Sequence, residues 1–262
     1  ERIVKSPVFC LIFLLVSTVQ LQAAVSETEV LVISVSDGDP LDISGISGEI
    51  VIEEWDSPEI EFSYTITADD QEDMQLVTVR CETEEGVTCS VEYDDSVVDP
   101  GSARVDFSVR VPAGTALDTY IELVSGDIDI KGGSGTAEIR LVSGDLDVFD
   151  YSGDLSAELV SGDMTAGGCP GLRSAEAVSG AIEVSAEGMG NDLYLGSVSG
   201  NIVLELADEA VVSARTVSGD FILDEAFNAS VNEGNGEKSA EFGSGGHQIQ
   251  IETVSGAITV TR

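Results

Sequence analysis

The stretch Val124-Ser125-Gly126-Asp127-Ile128-Asp129-Ile130 decides the fold, because the chain returns to its Val-Ser-Gly core six more times. The glycines of successive copies are 18, 18, 18, 20, 19 and 37 residues apart, so the last step is about two ordinary ones. These glycines are Gly126, Gly144, Gly162, Gly180, Gly200, Gly219 and Gly256. A period this regular is typical of a repeat architecture, in which each repeat stacks on its neighbours.

Each period divides into two halves, since a further glycine follows 9 or 10 residues after each of the first four, at Gly135, Gly153, Gly171 and Gly190. After Gly126, acidic residues alternate with Ile128 and Ile130, which is the period of a strand with one buried face. Half a period holds a strand of about five residues and a tight turn. The sequence therefore predicts an all-β fold, a parallel β-solenoid (β-helix) of about 18-residue coils with two strands per coil.

Two columns of residues indicate that the coils stack in register. The position two before each motif valine holds Glu122, Arg140 and Glu158 in the first three copies. Because neighbouring strands lie about 4.8 Å apart, Arg140 should lie between the two glutamates on the outer face. The next position is apolar, as at Leu141, and should point inward.

The chain divides by pattern into three parts. Residues 1–24 have a basic start, an apolar run and small residues at the end, which predicts a signal peptide cleaved after Ala23 or Ala24. Residues 25–118 have longer alternating runs, which predict a β-rich part that is continuous with the solenoid and caps its open end. Residues 119–262 are the regular β-solenoid, with a polar loop insertion around 225–247.

The predicted leader implies an exported protein, in the periplasm, at the cell surface or outside the cell. We expect no transmembrane segment after cleavage, because no second hydrophobic segment is present and the first run is too short for a span of about 20 residues. The mature protein is then soluble or reaches a surface through its partners.

The composition is strongly acidic, with 49 acidic against 11 basic residues and a formal net charge of −38. Such a chain repels nucleic acid and anionic lipid, because phosphate binding needs clustered Lys and Arg. Three explanations of the acidity stay open: a solvated surface adapted to high salt, a cation-binding surface, or a means of solubility. Nucleic-acid binding is excluded as a function.

Five aspartates are candidate metal ligands, since they recur at two repeat positions: Asp127, Asp145 and Asp163 at one, and Asp129 and Asp147 at the other. Like charges about 4.8 Å apart repel by about 1 kcal/mol per pair in water, and Ca²⁺ would turn this cost into a gain. The alternative is a solvated acidic face. Calcium is the only cofactor that the sequence suggests.

Cys81 and Cys89 flank an acidic turn between two strand-like runs. Across a hairpin they would reach disulfide distance, and export permits the oxidation. We predict a disulfide here, with two buried thiols as the alternative. Cys169 is then unpaired, and three thiols with one histidine do not make a zinc site.

No catalytic residues are predicted. The single histidine, His247, lies in a Gly-rich context without the G-x-S-x-G turn of a serine hydrolase. Paired carboxylates are numerous, so the alternative is a carbohydrate-active β-helix enzyme that acts on polysaccharide. Such enzymes use aromatic side chains to hold sugar, and here aromatics make up 5% of the chain and Trp55 is the only tryptophan.

The repeated V-S-G-D-[IL]-x-[VI] motif, preceded by the V-x-V-P-x-G step at 109–114, resembles the bacterial adhesin-type domain family of unknown function numbered 4097. The resemblance covers roughly Ile43 to Arg262. It implies a parallel β-helix and an adhesin-type exported protein. With the acidic coils, we expect a non-enzymatic surface or interaction role, as a scaffold whose strongly acidic face holds a surface protein, a glycan or a cation. It brings no catalytic residues, and the chain departs from the motif at Ala181, Asn201 and Ala257.

Overall fold

The computed structural model describes residues 24–94, 102–227, 229–234 and 237–262. The signal peptide predicted at 1–24 lies outside the described residues except for Ala24. In the part of the chain that the structure describes, no helix has the length and apolar character needed to cross a membrane. The described residues form two long sheets that face each other as a β-solenoid, so the predicted fold class is confirmed.

The elements of the first part are β1 (Val25–Ser34), β2 (Pro40–Ser47), β3 (Ile50–Trp55), β4 (Glu59–Ala68), α1 (Gln71–Met74), β5 (Val77–Glu82), β6 (Val87–Tyr93) and β7 (Arg104–Pro112). The regular coils follow as β8 (Ala116–Ser125), β9 (Ile128–Lys131), β10 (Ser134–Ser143), β11 (Leu146–Phe149), β12 (Asp154–Ser161), β13 (Met164–Gly167), β14 (Leu172–Ser179), β15 (Ile182–Ala186), β16 (Leu193–Ser199) and β17 (Ile202–Leu206). The last part contains β18 (Ala210–Ser218), β19 (Phe221–Leu223), a 3-10 turn (Glu225–Phe227), β20 (Ser230–Gly234), β21 (Glu237–Gly243), β22 (His247–Ser255) and β23 (Ile258–Thr261).

Each coil contributes one strand to each sheet. Within the described residues, sheet A has 11 strands in the order β1-β4-β7-β3-β9-β11-β13-β15-β17-β23-β19. Sheet B has 12 strands in the order β20-β21-β18-β22-β16-β14-β12-β10-β8-β2-β6-β5. From β8 to β17 the neighbours are parallel, so the core is the space between the two sheets.

The predicted register is confirmed in these coils. Arg140 is aligned with Glu122 on one side and Glu158 on the other. The inward column holds Leu123, Leu141, Leu159 and Ala177, all at most 5% exposed. The alternation of acidic and apolar residues thus buries one ladder of side chains per strand, which is the main source of stability in a stack of this kind.

The motif glycines form a corner where successive coils touch. Gly144 has a φ of +133°, and a Cβ built on it would lie 1.9 Å from the carbonyl oxygen of Gly126 in the preceding coil. Both the backbone angle and this contact exclude a larger residue. The repeat keeps glycine because the coils could not otherwise stack at the spacing of a sheet.

The amino-terminal end of the stack departs from sequence order. The coil formed by β2 and β3 lies between β6–β7 on its outer side and β8–β9 on its inner side. Beyond β7, strands β4 and β1 add to sheet A in antiparallel fashion, and β5 does the same beyond β6 in sheet B. These antiparallel strands lie beyond the outermost parallel coil and cover it.

The carboxyl-terminal end shows the same arrangement. The coil β22–β23 lies between β16–β17 and β18–β19, although it follows both in sequence. The insertion predicted as a polar loop around 225–247 instead contains the hairpin β20–β21, which pairs with β18. The reason is the alternation in β21, where Ala240 and Phe242 are buried and Phe242 packs against Phe227 with ring centres 5.0 Å apart.

Hydroxyls replace leucine in the inward column of these last coils. Ser197, Thr253 and Thr216 are buried there. Thr253 donates its hydroxyl to the carbonyl of Gly200, and Thr216 donates to that of Gly256, each at 3.4 Å. The threonine hydrogen bonds therefore follow the spatial order of the coils and not the order in the chain.

Candidate interaction surface

The motif valines form an exposed row on the outer face of sheet B. In spatial order the row, which we call the valine ladder, consists of Ile46, Val124, Val142, Val160, Val178, Val198, Val254 and Val217. Each side chain is 38% to 50% exposed. In the first regular coil, Leu123 points inward and Val124 outward, because side chains alternate along a strand.

A charged column runs beside the valine ladder, two residues earlier in each strand. In spatial order from β8 it holds Glu122, Arg140, Glu158, Glu176, Gly196, Glu252 and Arg215. Glycine replaces the charged residue only at Gly196 among these seven described positions. The two columns line a groove of about 650 Å³ on the outer face of sheet B.

Arg140 is held by neighbours on its own and the adjacent strand. Its Nη2 lies 2.6 Å from Glu138 Oε1, and its Nε lies 3.8 Å from Glu158 Oε2. The guanidinium also lies 5.8 Å from the ring centre of Tyr120. Because both partners of each pair are exposed, these ion pairs add little to the stability of the fold, and their main effect is to restrict the orientation of the arginine.

Arg215 closes the other end of the groove. Its guanidinium lies 3.1 Å from Glu252 Oε1 and 3.8 Å from Glu237 Oε2. Glu176, between these two arginine clusters, takes part in no ion pair within the described ranges. The middle of the groove therefore has a carboxylate whose charge is not neutralised by a neighbour.

Tyr194 occupies the space that Gly196 leaves open. A Cβ on Gly196 would lie 3.0 Å from both Cε1 and Oη of Tyr194, so the ring rests directly over the glycine. Burial, and then the carboxylates of Glu252 and Glu176, raise the pKa of Tyr194. The phenol stays protonated at neutral pH, and its ring lies on the sheet surface between two carboxylates.

Three of the predicted metal ligands line up at the glycine corner and bond to the backbone. Asp127 Oδ1 accepts a hydrogen bond from the amide of Asp145 at 2.9 Å, and Asp145 Oδ1 accepts one from the amide of Asp163 at 2.9 Å. Asp163 Oδ1 continues the series with the amide of Ala181 at 2.7 Å. Each aspartate thus satisfies a backbone donor of the next coil.

The other two predicted ligands, Asp129 and Asp147, lie elsewhere. They are aligned with each other on β9 and β11, half-buried on the outer face of sheet A. Within residues 24–94, 102–227, 229–234 and 237–262, no group of three or more His, Cys, Asp and Glu side chains has an arrangement suited to a metal ion. The five aspartates are therefore not one cluster, and calcium binding stays a prediction.

The structure places the predicted cysteine pair in a disulfide. Cys81 on β5 and Cys89 on β6 are directly opposite in the antiparallel pair, with Cα atoms 4.2 Å apart. Cys169 is half-buried and free, and burial raises the pKa of its thiol. His247, at the start of β22, has its Nδ1 3.6 Å from Asp192 Oδ1.

The valine ladder was not predicted from the sequence, although the pattern that places it is present there. The alternation that predicts Leu123, Leu141 and Leu159 to be buried also places the following valine on the outside. The sequence also indicates the role of Gly196, because a glycine replaces the charged residue there and an aromatic residue, Tyr194, lies two positions earlier. Both signals concern the solvent side of the repeat rather than its core.

No curated protein matches the sequence. Several solved structures are similar to this chain. One, from Clostridium sporogenes, is described as a candidate cell adhesion protein, with 11% identity, a TM-score of 0.41 and coverage of 90% of this chain and 99% of that one. A candidate adhesin from Bacteroides fragilis has 15% identity, a TM-score of 0.39 and coverage of 92% and 98%. A candidate lipid-binding protein from Parabacteroides distasonis has 15% identity, a TM-score of 0.33 and coverage of 90% and 97%.

One family model also matches, and it covers the carboxyl-terminal part of the solenoid. The resemblance inferred from the Val-Ser-Gly repeats is confirmed there. Residues 171–261 match the family described as Toastrack DUF4097, which is the family numbered 4097 that the repeats resemble.

Proposed function

We propose that this chain is an exported, non-enzymatic interaction protein, an adhesin-like β-solenoid scaffold that uses the outer face of sheet B to hold a surface protein or a glycan. The observation that carries the proposal is the valine ladder. Eight β-branched side chains, each 38% to 50% exposed, lie in one row among the described residues. Contiguous exposed apolar rows of this kind mark interaction surfaces in soluble proteins.

The scaffold gives this row a fixed geometry. Seven steps of about 4.8 Å between parallel strands make the ladder roughly 34 Å long. Its members lie on strands paired with their neighbours in register, and each follows an inward residue of the stack, as Val142 follows the buried Leu141. A long, flat and preformed surface loses little conformational entropy on binding, which suits adhesion.

The acidic surface supports the same role. A formal net charge of −38 keeps an exported chain with an exposed apolar row from associating with itself. It also favours partners that are neutral or basic over acidic ones.

Adhesion of cells that display the chain tests the proposal. We would compare the parent chain with the variant Val160→Ser/Val178→Ser/Val198→Ser on surfaces coated with mucin glycans, with collagen and with polylysine. A matched control, Val32→Ser/Ile222→Ser/Val231→Ser, removes three side chains that are 47%, 58% and 43% exposed outside the ladder.

We expect the parent and the control to be retained on at least one coating and the ladder variant to lose about tenfold or more of that retention. Retention no higher than that of non-displaying cells on every coating would contradict an adhesive function. Equal retention of the parent, the ladder variant and the control would contradict the ladder as the contact surface.

A further inference from the structure

The groove on sheet B has a chemical asymmetry that points to one class of partner. Its apolar side is the valine ladder, and its polar side carries five glutamates against two arginines: Glu122, Glu158, Glu176, Glu237 and Glu252, with Arg140 and Arg215. An occupant must cover aliphatic surface and bring positive charge. A second copy of this chain, at −38, is disfavoured on charge alone.

Lysine combines both properties in one side chain. Its four-carbon stem packs on the apolar surface, and its ammonium contacts a carboxylate beside that surface. The valine ladder and the charged column are two residues apart on each strand, so a stem lying on Val178 brings the ammonium to Glu176. Arginine meets the same requirements with a planar head.

The centre of the groove adds a more specific feature. The Tyr194 ring lies over Gly196, and the strands on either side carry Glu176 and Glu252 at the aligned position. Cations are attracted to the face of an aromatic ring, and more strongly where carboxylates are close. Since Glu252 forms an ion pair with Arg215, Glu176 is the carboxylate beside the ring that is left to attract a cation.

We propose that this groove binds an extended, lysine- or arginine-rich polypeptide segment, with aliphatic stems on the valine ladder and one cationic head over Tyr194 beside Glu176. This inference rests on the proposed function, because it names the partner of the same surface. It replaces the general expectation of a surface protein or glycan with a basic polypeptide.

Binding of synthetic peptides to the purified full chain tests the proposal. The probes are ten-residue peptides that alternate Lys with Val, Lys with Ser, and Glu with Val, measured by fluorescence anisotropy at about 0.15 M salt, where long-range attraction is screened. We expect the Lys–Val and Lys–Ser peptides to bind within about threefold of each other, because in an extended peptide the Val or Ser side chains lie on the face opposite the lysines, and the Glu–Val peptide not to bind.

Variants then locate the bound peptide. Val160→Ser/Val178→Ser/Val198→Ser should weaken binding of the Lys–Val peptide about tenfold or more, with no change in the Val32→Ser/Ile222→Ser/Val231→Ser control. Glu176→Gln and Tyr194→Leu should each weaken it about threefold. Glu183→Gln, in the same coil but on the exposed face of sheet A, is the matched charge control and should have no effect.

Two results would overturn the inference. Equal binding by all variants, lost on adding salt, would mean diffuse attraction to the acidic chain. No binding of the Lys–Val peptide by a chain that still mediates adhesion through the ladder would assign a partner of other chemistry, such as a glycan. That second outcome leaves the proposed function intact, whereas peptide binding without any cell adhesion would overturn the proposed function and keep the site.

Discussion

The middle of the stack and its two ends are built from the same kind of coil but are assembled differently. From β8 to β17 each coil follows its predecessor both in space and in sequence. At each end, an internal segment forms the outer coil, and the segment nearer the terminus lies one coil further in. The pair β22–β23 is therefore hydrogen-bonded on both sides, as is β2–β3.

This difference shows what the repeat motif specifies. The motif determines where each coil bends and which side chains point inward, because these depend on glycine positions and on strand alternation. It does not determine which coil lies next to which, since any two coils with matching columns can pair. Neighbour choice at the ends depends on features outside the motif, such as the hairpin β20–β21.

Disulfide crosslinking of the last coils tests their spatial order and should have the largest effect. In a Cys169→Ser background, we would introduce cysteine pairs at Ser199 and Ser255, at Ser255 and Ser218, and at Ser199 and Ser218. Residues aligned on neighbouring parallel strands have Cα atoms about 4.8 Å apart, within disulfide range, whereas strands two apart are near 9.6 Å. We expect oxidation to link the first two pairs, which are aligned neighbours, and to leave the third unlinked.

Mass spectrometry of the oxidised variants reads the result. A disulfide between positions 199 and 218 in place of the first two would mean that the coils stack in sequence order. The ends would then be built like the middle.

The next largest effect should come from the glycine corner of the middle coils. Gly144→Ala places a Cβ 1.9 Å from the Gly126 carbonyl at a φ of +133°, so we expect a loss of about 3 kcal/mol or more in unfolding free energy. Gly188→Ala is the control, since its φ is +68° but nothing lies within 4 Å, and it should cost about 1 kcal/mol. Denaturant unfolding measures both. Equal losses would show that backbone conformation, and not coil contact, explains the glycines.

The aspartate series of the middle coils should have a smaller effect. Asp145→Ala removes the acceptor for the Asp163 amide and should cost about 1 kcal/mol in unfolding free energy. Asp145→Asn should cost less, because Asn201 already performs this role near the end of the stack, accepting from the Ala257 amide at 2.9 Å. Asp147→Ala, on the face of sheet A, is the comparison variant. If Asp145→Asn lowered the unfolding free energy as much as Asp145→Ala, the loss of the carboxylate charge, and not the loss of the hydrogen-bond acceptor, would explain the effect.

The smallest expected effect is that of calcium. Screening by NaCl should raise the melting temperature, because the chain carries a formal net charge of −38. Calcium binding by Asp127, Asp145 and Asp163 predicts a further rise of about 1–2 °C at a calcium concentration equal to the Kd, at matched ionic strength. Asp145→Asn should abolish that additional rise. Identical melts in NaCl and CaCl₂ would contradict a metal site and leave the carboxylates as backbone acceptors.

The repeated part of the fold was predictable because its information is local and periodic. Glycine spacing and alternation suffice to place Arg140 between Glu122 and Glu158, and to bury Leu141. The order of the last coils was not predictable, since a step of 19 residues from Gly200 to Gly219 is an ordinary coil length. Only long-range pairing, such as Ser199 with Ser255, sets that order.

The candidate surface was half predictable. The charged column was predicted from the sequence, whereas the exposed row of valines beside it was not. Asp127, Asp145 and Asp163 share one repeat position in the sequence, whereas the hydrogen bond from each to the next coil's amide depends on the corner geometry. That geometry follows from the approach of Gly144 to Gly126, which no composition or spacing reveals.

The position of β22–β23 has a consequence for how the protein is made. A ribosome delivers β18 and β19 before residues 247–262, and those two strands carry the columns needed to pair with β16 and β17. Until residues 247–262 are made, β18 and β19 must either stay unpaired or pair with β16 and β17 and later separate from them. The observed order of coils at this end can therefore form only once residues 247–262 are available.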